Sequence, residues 1–303
     1  MPISATASGT AVPAWTTATR RRLSADISRT PSPPRVHPSP SKSPPSPTTR
    51  AMTHMENPMS INVSSASLPI VGLVPLTTQE FPKRRACAIF LRDGSPRCGY
   101  CHNVRMTPHQ RNKPYEWRDV CALLDRRHGL LDGVVIGGGE PTLHHELPTA
   151  LHDIKSRDFD TGLHTTGLYP KRLSKALPWL DWVRLDIRGW SMKAGHTREK
   201  QGIWHRNMQS LALLLDSRIE LECRTSLHWR TFSLRDLERL AMSLADCGVR
   251  HYVLQKCLNP NQARPPAGAP SDHALDLLVS RLASYFESVA IERPPPPLLR
   301  TEN

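Results

Sequence analysis

Arg97-Cys98-Gly99-Tyr100-Cys101-His102-Asn103, followed further on by Gly137-Gly138-Gly139-Glu140-Pro141-Thr142, are the stretches on which the reading of this chain turns. Two thiols three positions apart admit several chemistries. Half a zinc site is one, but no second Cys or Cys/His pair has suitable spacing. Cys-Gly-Tyr-Cys also has the shape of a thiol–disulfide pair. Cys-x-x-Cys-His is an attachment pattern for c-type haem, which requires export. An iron–sulfur site, with thiolates as soft ligands, is the fourth. The second stretch changes the balance. Its glycines let a ligand approach the backbone, and a carboxylate at that edge can accept bonds from an ammonium group. A redox pair or a haem site leaves Gly-Gly-Glu-Pro unexplained.

Each stretch follows a short apolar run. Ala86-Cys87-Ala88-Ile89-Phe90-Leu91 precedes the thiols, and Val134-Val135-Ile136 precedes the glycines. Both read as buried strands by length and flanks. The alternation continues outward. Strands are expected at 161–165, 182–187, 219–227 and 251–255, with a final short one at 289–291. Helices are expected at 114–129, 144–156, 170–178, 203–216, 233–247 and 272–286. Residues 68–85 read as an irregular lead-in with one short strand. This rhythm predicts an α/β fold with right-handed βαβ units and a parallel sheet, either a partial barrel or a doubly wound sheet. In both, functional residues gather at the carboxyl ends of the strands.

The 303-residue chain has 38% hydrophobic residues, and the shortfall is concentrated at its start. Residues 1–67 hold 11 of the 29 prolines and seven Lys/Arg against two acids, Asp26 and Glu56. Such a segment buries too little apolar surface to offset its ordering entropy and is expected to be disordered. Its Ser- and Arg-rich, acid-poor character suits a targeting segment, whereas Met52, Met55 and Met59 suit a later start of translation. The expected domain is 68–293, with a loose tail at 294–303. The net charge of +13 allows a nucleic-acid reading led by the basic tail. The seven tryptophans, however, form no stacking series with basic residues, which argues against a single-strand groove. No apolar run reaches the roughly 18–20 residues needed to span a membrane. Seven cysteines without an export signal point to a reducing, cytoplasmic setting.

Taken together, the chain resembles a radical S-adenosylmethionine (SAM) enzyme, and within that group the activating proteins of anaerobic ribonucleoside-triphosphate reductase. The blocks that carry the resemblance lie between about 70 and 258. They are 71–78, 97–103, 138–143, Gly162-Leu163-His164-Thr165-Thr166-Gly167, 181–187 and Glu222-Cys223-Arg224-Thr225. The resemblance implies a partial (β/α)6 barrel, a [4Fe–4S] cluster with three cysteine ligands, and SAM on the fourth iron site. It also implies a flavodoxin- or ferredoxin-type electron donor and a glycyl-radical enzyme as partner. By position, Cys98 and Cys101 would be cluster ligands and Tyr100 would line the adenine side. Gly138, Gly139 and Glu140 would hold the methionine amino group. Thr165, Asp186, Arg188 and Arg224 would contact ribose or carboxylate. Arg188 stands where the family usually has Lys, with different reach and geometry.

One departure bears on activity. The family pattern is Cys-x-x-x-Cys-x-x-Cys, and its first position here is Gly94. Two thiolates would leave a cluster labile and its potential altered. A local lesion, abandoned chemistry and a substitute ligand all explain the change. Cys87 and Asp93 are the substitutes within reach, although Cys87 sits near the start of its strand. Other residues read blandly. His144 and His145 suit a solvated helix start, and Cys121, Cys223, Cys247 and Cys257 suit small core positions. His164 and His228 end strands at the functional mouth without a visible carboxylate partner.

Overall fold

The computed structural model describes residues 67–92, 115–188, 198–227, 229, 233–256 and 269–292. The thiol stretch and Gly94 lie outside these residues. So do His228, Cys257, the tail and all but the last residue of the 1–67 extension.

Eight strands form one sheet in chain order: β1 (Ile70–Thr77), β2 (Ala86–Leu91), β3 (Gly133–Gly138), β4 (Asp160–Thr165), β5 (Trp182–Asp186), β6 (Glu220–Leu227), β7 (His251–Lys256) and β8 (Ser288–Glu292). β1 runs antiparallel to β2, and every later pair is parallel. The lead-in is therefore more regular than its sequence suggests. Its eight-residue strand lies at the sheet edge and shifts register around Pro75, where a missing N–H costs no ladder bond.

The connections carry α1 (Trp117–Asp125), α2 (Leu147–Lys155), α3 (Pro170–Ala176), α4 (Arg198–Asp216), α5 (Leu234–Asp246) and α6 (Asp272–Leu282). Each amphipathic helix buries one stripe. In α1 it is Trp117, Val120, Cys121 and Leu124, and in α5 it is Leu237, Leu240, Ala241 and Leu244. Capping boxes, Glu116 with Asp119 and Ser233 with Asp236, satisfy the first N–H groups of these two helices. Among the described residues no helix is long and apolar enough to cross a membrane.

β2 shows why the sheet has two unlike faces. All six of its residues are buried. Cys87, Ile89 and Leu91 join the large core beneath the helices. Ala86, Ala88 and Phe90 join a second, smaller cluster with Phe81, Val135 and Trp182. The period-two alternation of a strand produces this split. The inner face becomes polar from β4 onward, through His164, Arg184, Asp186, Glu222 and Arg224.

The β1–β2 loop closes the amino-terminal end of this inner face. Phe81 is fully buried and stacks on Trp182, with ring centroids 5.1 Å apart. Arg84 lies 4.5 Å over the Phe81 ring and bonds Asp160 at 2.7 Å and Glu220 at 3.4 Å. Gly133 and Gly162 make the room, since a Cβ on either would meet the Phe81 ring at 3.0–3.1 Å. Phe81→Ala removes this plug, and the large-to-small cost in a core is about 3–5 kcal/mol. Thermal and urea unfolding should register that loss. An unchanged midpoint would show that the plug does not hold the barrel floor.

Candidate functional site

The opposite end of the sheet gathers the residues singled out by sequence. β3 ends in Gly137-Gly138, and Gly139-Glu140 turns into a 3-10 segment, Pro141–Leu143. Gly138 has φ +106°, and a Cβ there would lie 2.5 Å from both the N and the O of Leu91. Gly139 N–H donates to Leu91 O at 3.0 Å. These two glycines therefore bind the ledge to β2 through backbone approach. Gly137 faces the His164 ring, where a Cβ would make ordinary contact at 3.4–3.6 Å.

Glu140 is completely buried. Its Oε1 accepts from Thr142 N at 3.2 Å, from Thr142 Oγ1 and from Thr165 Oγ1 at 2.6 Å. Its Oε2 accepts from Thr166 N at 2.7 Å and from Thr166 Oγ1. Five protein donors meet a group with about four lone-pair sites. The carboxylate thus ties the end of β3 to the end of β4. Thr165 Oγ1 also accepts from Gly167 N at 3.0 Å, so its oxygen is engaged on both sides.

The other three described candidates form an ionic group. Asp186 ends β5 and is in register with Arg224 on β6. Arg224 Nε donates to Asp186 Oδ1 at 2.7 Å, and Arg188 Nη2 to Asp186 Oδ2 at 3.3 Å. Burial alone would raise the Asp186 pKa, but Arg224 and Arg188 hold the carboxyl well below the usual carboxylate range. Burial works against the Arg224 charge, yet Asp186 more than offsets it and raises its pKa. Arg224 Nη1 lies 3.7 Å from Glu292 on β8.

Below this group Arg184 is buried and donates to Glu222 at 2.5 Å. Its Nη1 has no hydrogen-bond partner, and Glu292 stands 3.9 Å away, too far for one. His164 has the carboxylate partner that its sequence neighbourhood lacks. Glu80, from the β1–β2 loop, places its carbonyl 2.7 Å from Nε2 and a carboxyl oxygen 3.5 Å from Nδ1. Burial, with Arg184 and Arg224 nearby, holds the imidazole well below its ordinary pKa. Burial raises the Glu80 carboxyl, and the same arginines oppose that rise.

Gly138, Gly139, Glu140, Thr165, Asp186, Arg188 and Arg224 therefore share one end of the sheet. Cys98, Cys101 and Tyr100 lie outside the described residues. Cys87 is fully buried in the core beneath the helices, on the face opposite Phe90, and burial pushes its thiol up to about 12. That placement removes it as a substitute ligand at the mouth. His144 precedes α2 instead of starting it, and its Nε2 lies 3.3 Å from Arg92 O.

Sequence reading missed Thr142, Thr166, Glu80 and above all Asn207. Asn207, Ser210, Leu211 and Leu214 occupy the i, i+3, i+4, i+7 stripe of α4, and all four are buried. Two polar residues on an apolar stripe were the available signal.

A model of the radical SAM superfamily matches residues 92–244. A protein of Methanocaldococcus jannaschii, described as a candidate glycyl-radical enzyme activating enzyme, is 26% identical over 197 residues. That match covers 62% of this chain and 79% of the archaeal protein. A Haemophilus influenzae protein with the same description is 24% identical over 135 residues, covering 42% of this chain and 50% of its own. Among solved structures, Streptococcus suis SuiB bound to S-adenosylmethionine aligns with a TM-score of 0.49 at 12% identity. That alignment covers 67% of this chain and 48% of SuiB. The chain thus spans about half the length of the Haemophilus and Streptococcus proteins. With the family match extending over half of its residues, the chain belongs to the radical SAM superfamily.

Proposed function

We propose that this protein is an activase-type radical SAM protein whose partner is a glycyl-radical enzyme. Anaerobic ribonucleoside-triphosphate reductase is the partner that its sequence blocks resemble. The observation that carries the reading is the grouping of Asp186, Arg188 and Arg224 beside the Gly138–Glu140 ledge at one end of the sheet. The two relatives described as candidate activating enzymes support the choice of partner class. A flavodoxin- or ferredoxin-type donor and a cytoplasmic setting accompany this reading.

The superfamily implies SAM together with an iron–sulfur cluster, and the residues present suit the two groups differently. The amino-acid end of SAM is a zwitterion, and the mouth offers both signs of charge. Arg188 and Arg224 would face a carboxylate, and Asp186 an ammonium or a ribose hydroxyl. Gly138 and Gly139 would present backbone, with Glu140 and Thr165 holding that backbone from behind. Bound there, SAM would supply a 5′-deoxyadenosyl group able to abstract hydrogen. This chain's own residues would orient the molecule.

Among the motif positions and the described cysteines, the donor set does not suit a three-cysteine cluster. Position 94 is glycine, which leaves Cys98 and Cys101. Cys87, Cys121 and Cys223 are buried among the core residues beneath the helices, so none turns toward the mouth. This shortage favours a second reading, a relative that binds SAM and its partner but makes no radical.

Calorimetry with SAM tests the shared part of both readings. The native chain should bind, and Arg188→Ala should weaken binding about tenfold with little change in melting temperature, because Asp186 keeps its 2.7 Å bond from Arg224 when the longer 3.3 Å bond from Arg188 is lost. Absence of SAM binding by the native chain would sink both readings.

A further inference from the structure

We propose that Asn207 on α4 is the positioning residue for Asp186 and Arg188, and acts through them on SAM; this rests on the reading of the mouth as a SAM site. β4 and β5 pair only as far as Thr165 and Leu185. The next residues, Thr166 just after β4 and Asp186 at the end of β5, lie beyond that register. Asn207 bridges them. Its Nδ2 donates to Thr166 O at 2.8 Å and to Asp186 O at 2.9 Å, and its Oδ1 accepts from Arg188 N at 3.0 Å.

The side chain is completely buried, and the three bonds determine which way round the amide lies. Two carbonyls require the NH2 group, and one N–H requires the oxygen. Only a primary amide of this length offers two donors and an acceptor in that arrangement. Asp lacks the donors and would face two carbonyl oxygens. Ala would leave two carbonyls and one N–H buried and unpaired.

The consequence falls on the backbone that aims the ionic group. Asn207 holds the peptide groups at Asp186 and Arg188, on either side of Ile187. Ile187 N–H itself donates to Arg224 O at 2.7 Å. The segment 186–188 is therefore gripped alternately from α4 and from β6, and its two charged side chains project from fixed positions. The same amide joins this segment to Thr166, whose N–H and hydroxyl bind Glu140. One buried chain of bonds thus runs from the glycine ledge to the arginines.

The test compares the full chain with Asn207→Ala and with Ser210→Ala. Ser210 is equally buried on the same stripe but bonds Gly167 O at 2.7 Å, away from Asp186. SAM affinity is read by calorimetry, folding by circular dichroism melts, and local order by hydrogen exchange of a peptide containing 186–188. Asn207→Ala should exchange faster at 186–188 and bind SAM at least about tenfold more weakly, as expected when ligand-contacting groups are misplaced. Ser210→Ala should lower the melting temperature with affinity within about twofold of native. Equal loss of SAM affinity in both variants, or unchanged affinity in Asn207→Ala, would overturn the proposal. Should Asn207→Ala not fold, Asn207→Ser takes its place under the same criteria. If the native chain itself binds no SAM, the functional reading fails separately. Hydrogen exchange then decides the positioning role, with accelerated exchange at 186–188 supporting it and unchanged exchange overturning it.

Discussion

Gly94→Cys is expected to raise the iron content to about four and to increase SAM cleavage on reduction; on the reading without a radical, the native chain holds about two irons or fewer and yields no 5′-deoxyadenosine. The substitution restores the spacing of three thiolates at 94, 98 and 101. A cubane held by two thiolates lacks a protein ligand on one of the three irons that SAM leaves to the protein. That iron is then open to loss, and the potential of the remainder changes with its ligand set. The fold offers no internal substitute among the described cysteines. Cys87 points into the helix-side core, with a thiol pushed up to about 12 that does not ionise at neutral pH. Cys87→Ala should therefore leave iron content unchanged in both backgrounds. Anaerobic reconstitution, iron analysis and chromatography of the products check all of these outcomes. A native chain with full iron and normal turnover would end the view that Gly94 limits activity. An inert Gly94→Cys variant would show that the loss extends beyond this position.

Gly138→Ala should damage the fold itself. At φ +106° a side-chain residue is strained by about 1–3 kcal/mol. The added Cβ would also lie 2.5 Å from the backbone N and O of Leu91. Backbone cannot swing aside as a long side chain can, so the clash adds an overpacking cost of about 1–3 kcal/mol. The two together should lower the melting temperature by roughly 10 °C for a domain of this size. Detachment of the ledge from β2 should also abolish SAM binding at temperatures where the rest remains folded. Gly137→Ala is the contrasting case, since its Cβ would make ordinary contact with the His164 ring. A Gly138→Ala protein as stable as the native one would show that the β2–β3 junction tolerates a side chain.

These two glycine sites show how differently sequence and structure inform. Gly94 is read from spacing alone, because the ligand count of a cluster is a property of the residue list. Gly138 is expected from the motif to let a ligand approach, and the structure adds a second demand, room for the backbone of the neighbouring strand. Glu140 follows the same course. Its place after β3 was legible from Gly-Gly-Glu-Pro, yet its five bonds to Thr142, Thr165 and Thr166 depend on β3 and β4 lying side by side. The Glu80–His164 contact joins residues 84 positions apart, and no local pattern encodes it.

The βα rhythm, the strands between Ala86 and Gln255, the family resemblance and the glycine at the first cluster position were legible along the chain. Each of these follows from local periodicity, flanking residues or motif spacing, which are properties of neighbours along the chain. It took the packed sheet to show that Cys87 faces the helices, that Asp186 is shared by Arg188 and Arg224, and that Asn207 bridges the split ends of β4 and β5. Those outcomes depend on register between strands and on which face a helix presents. Register and facing are set when buried polar groups must find partners across the fold.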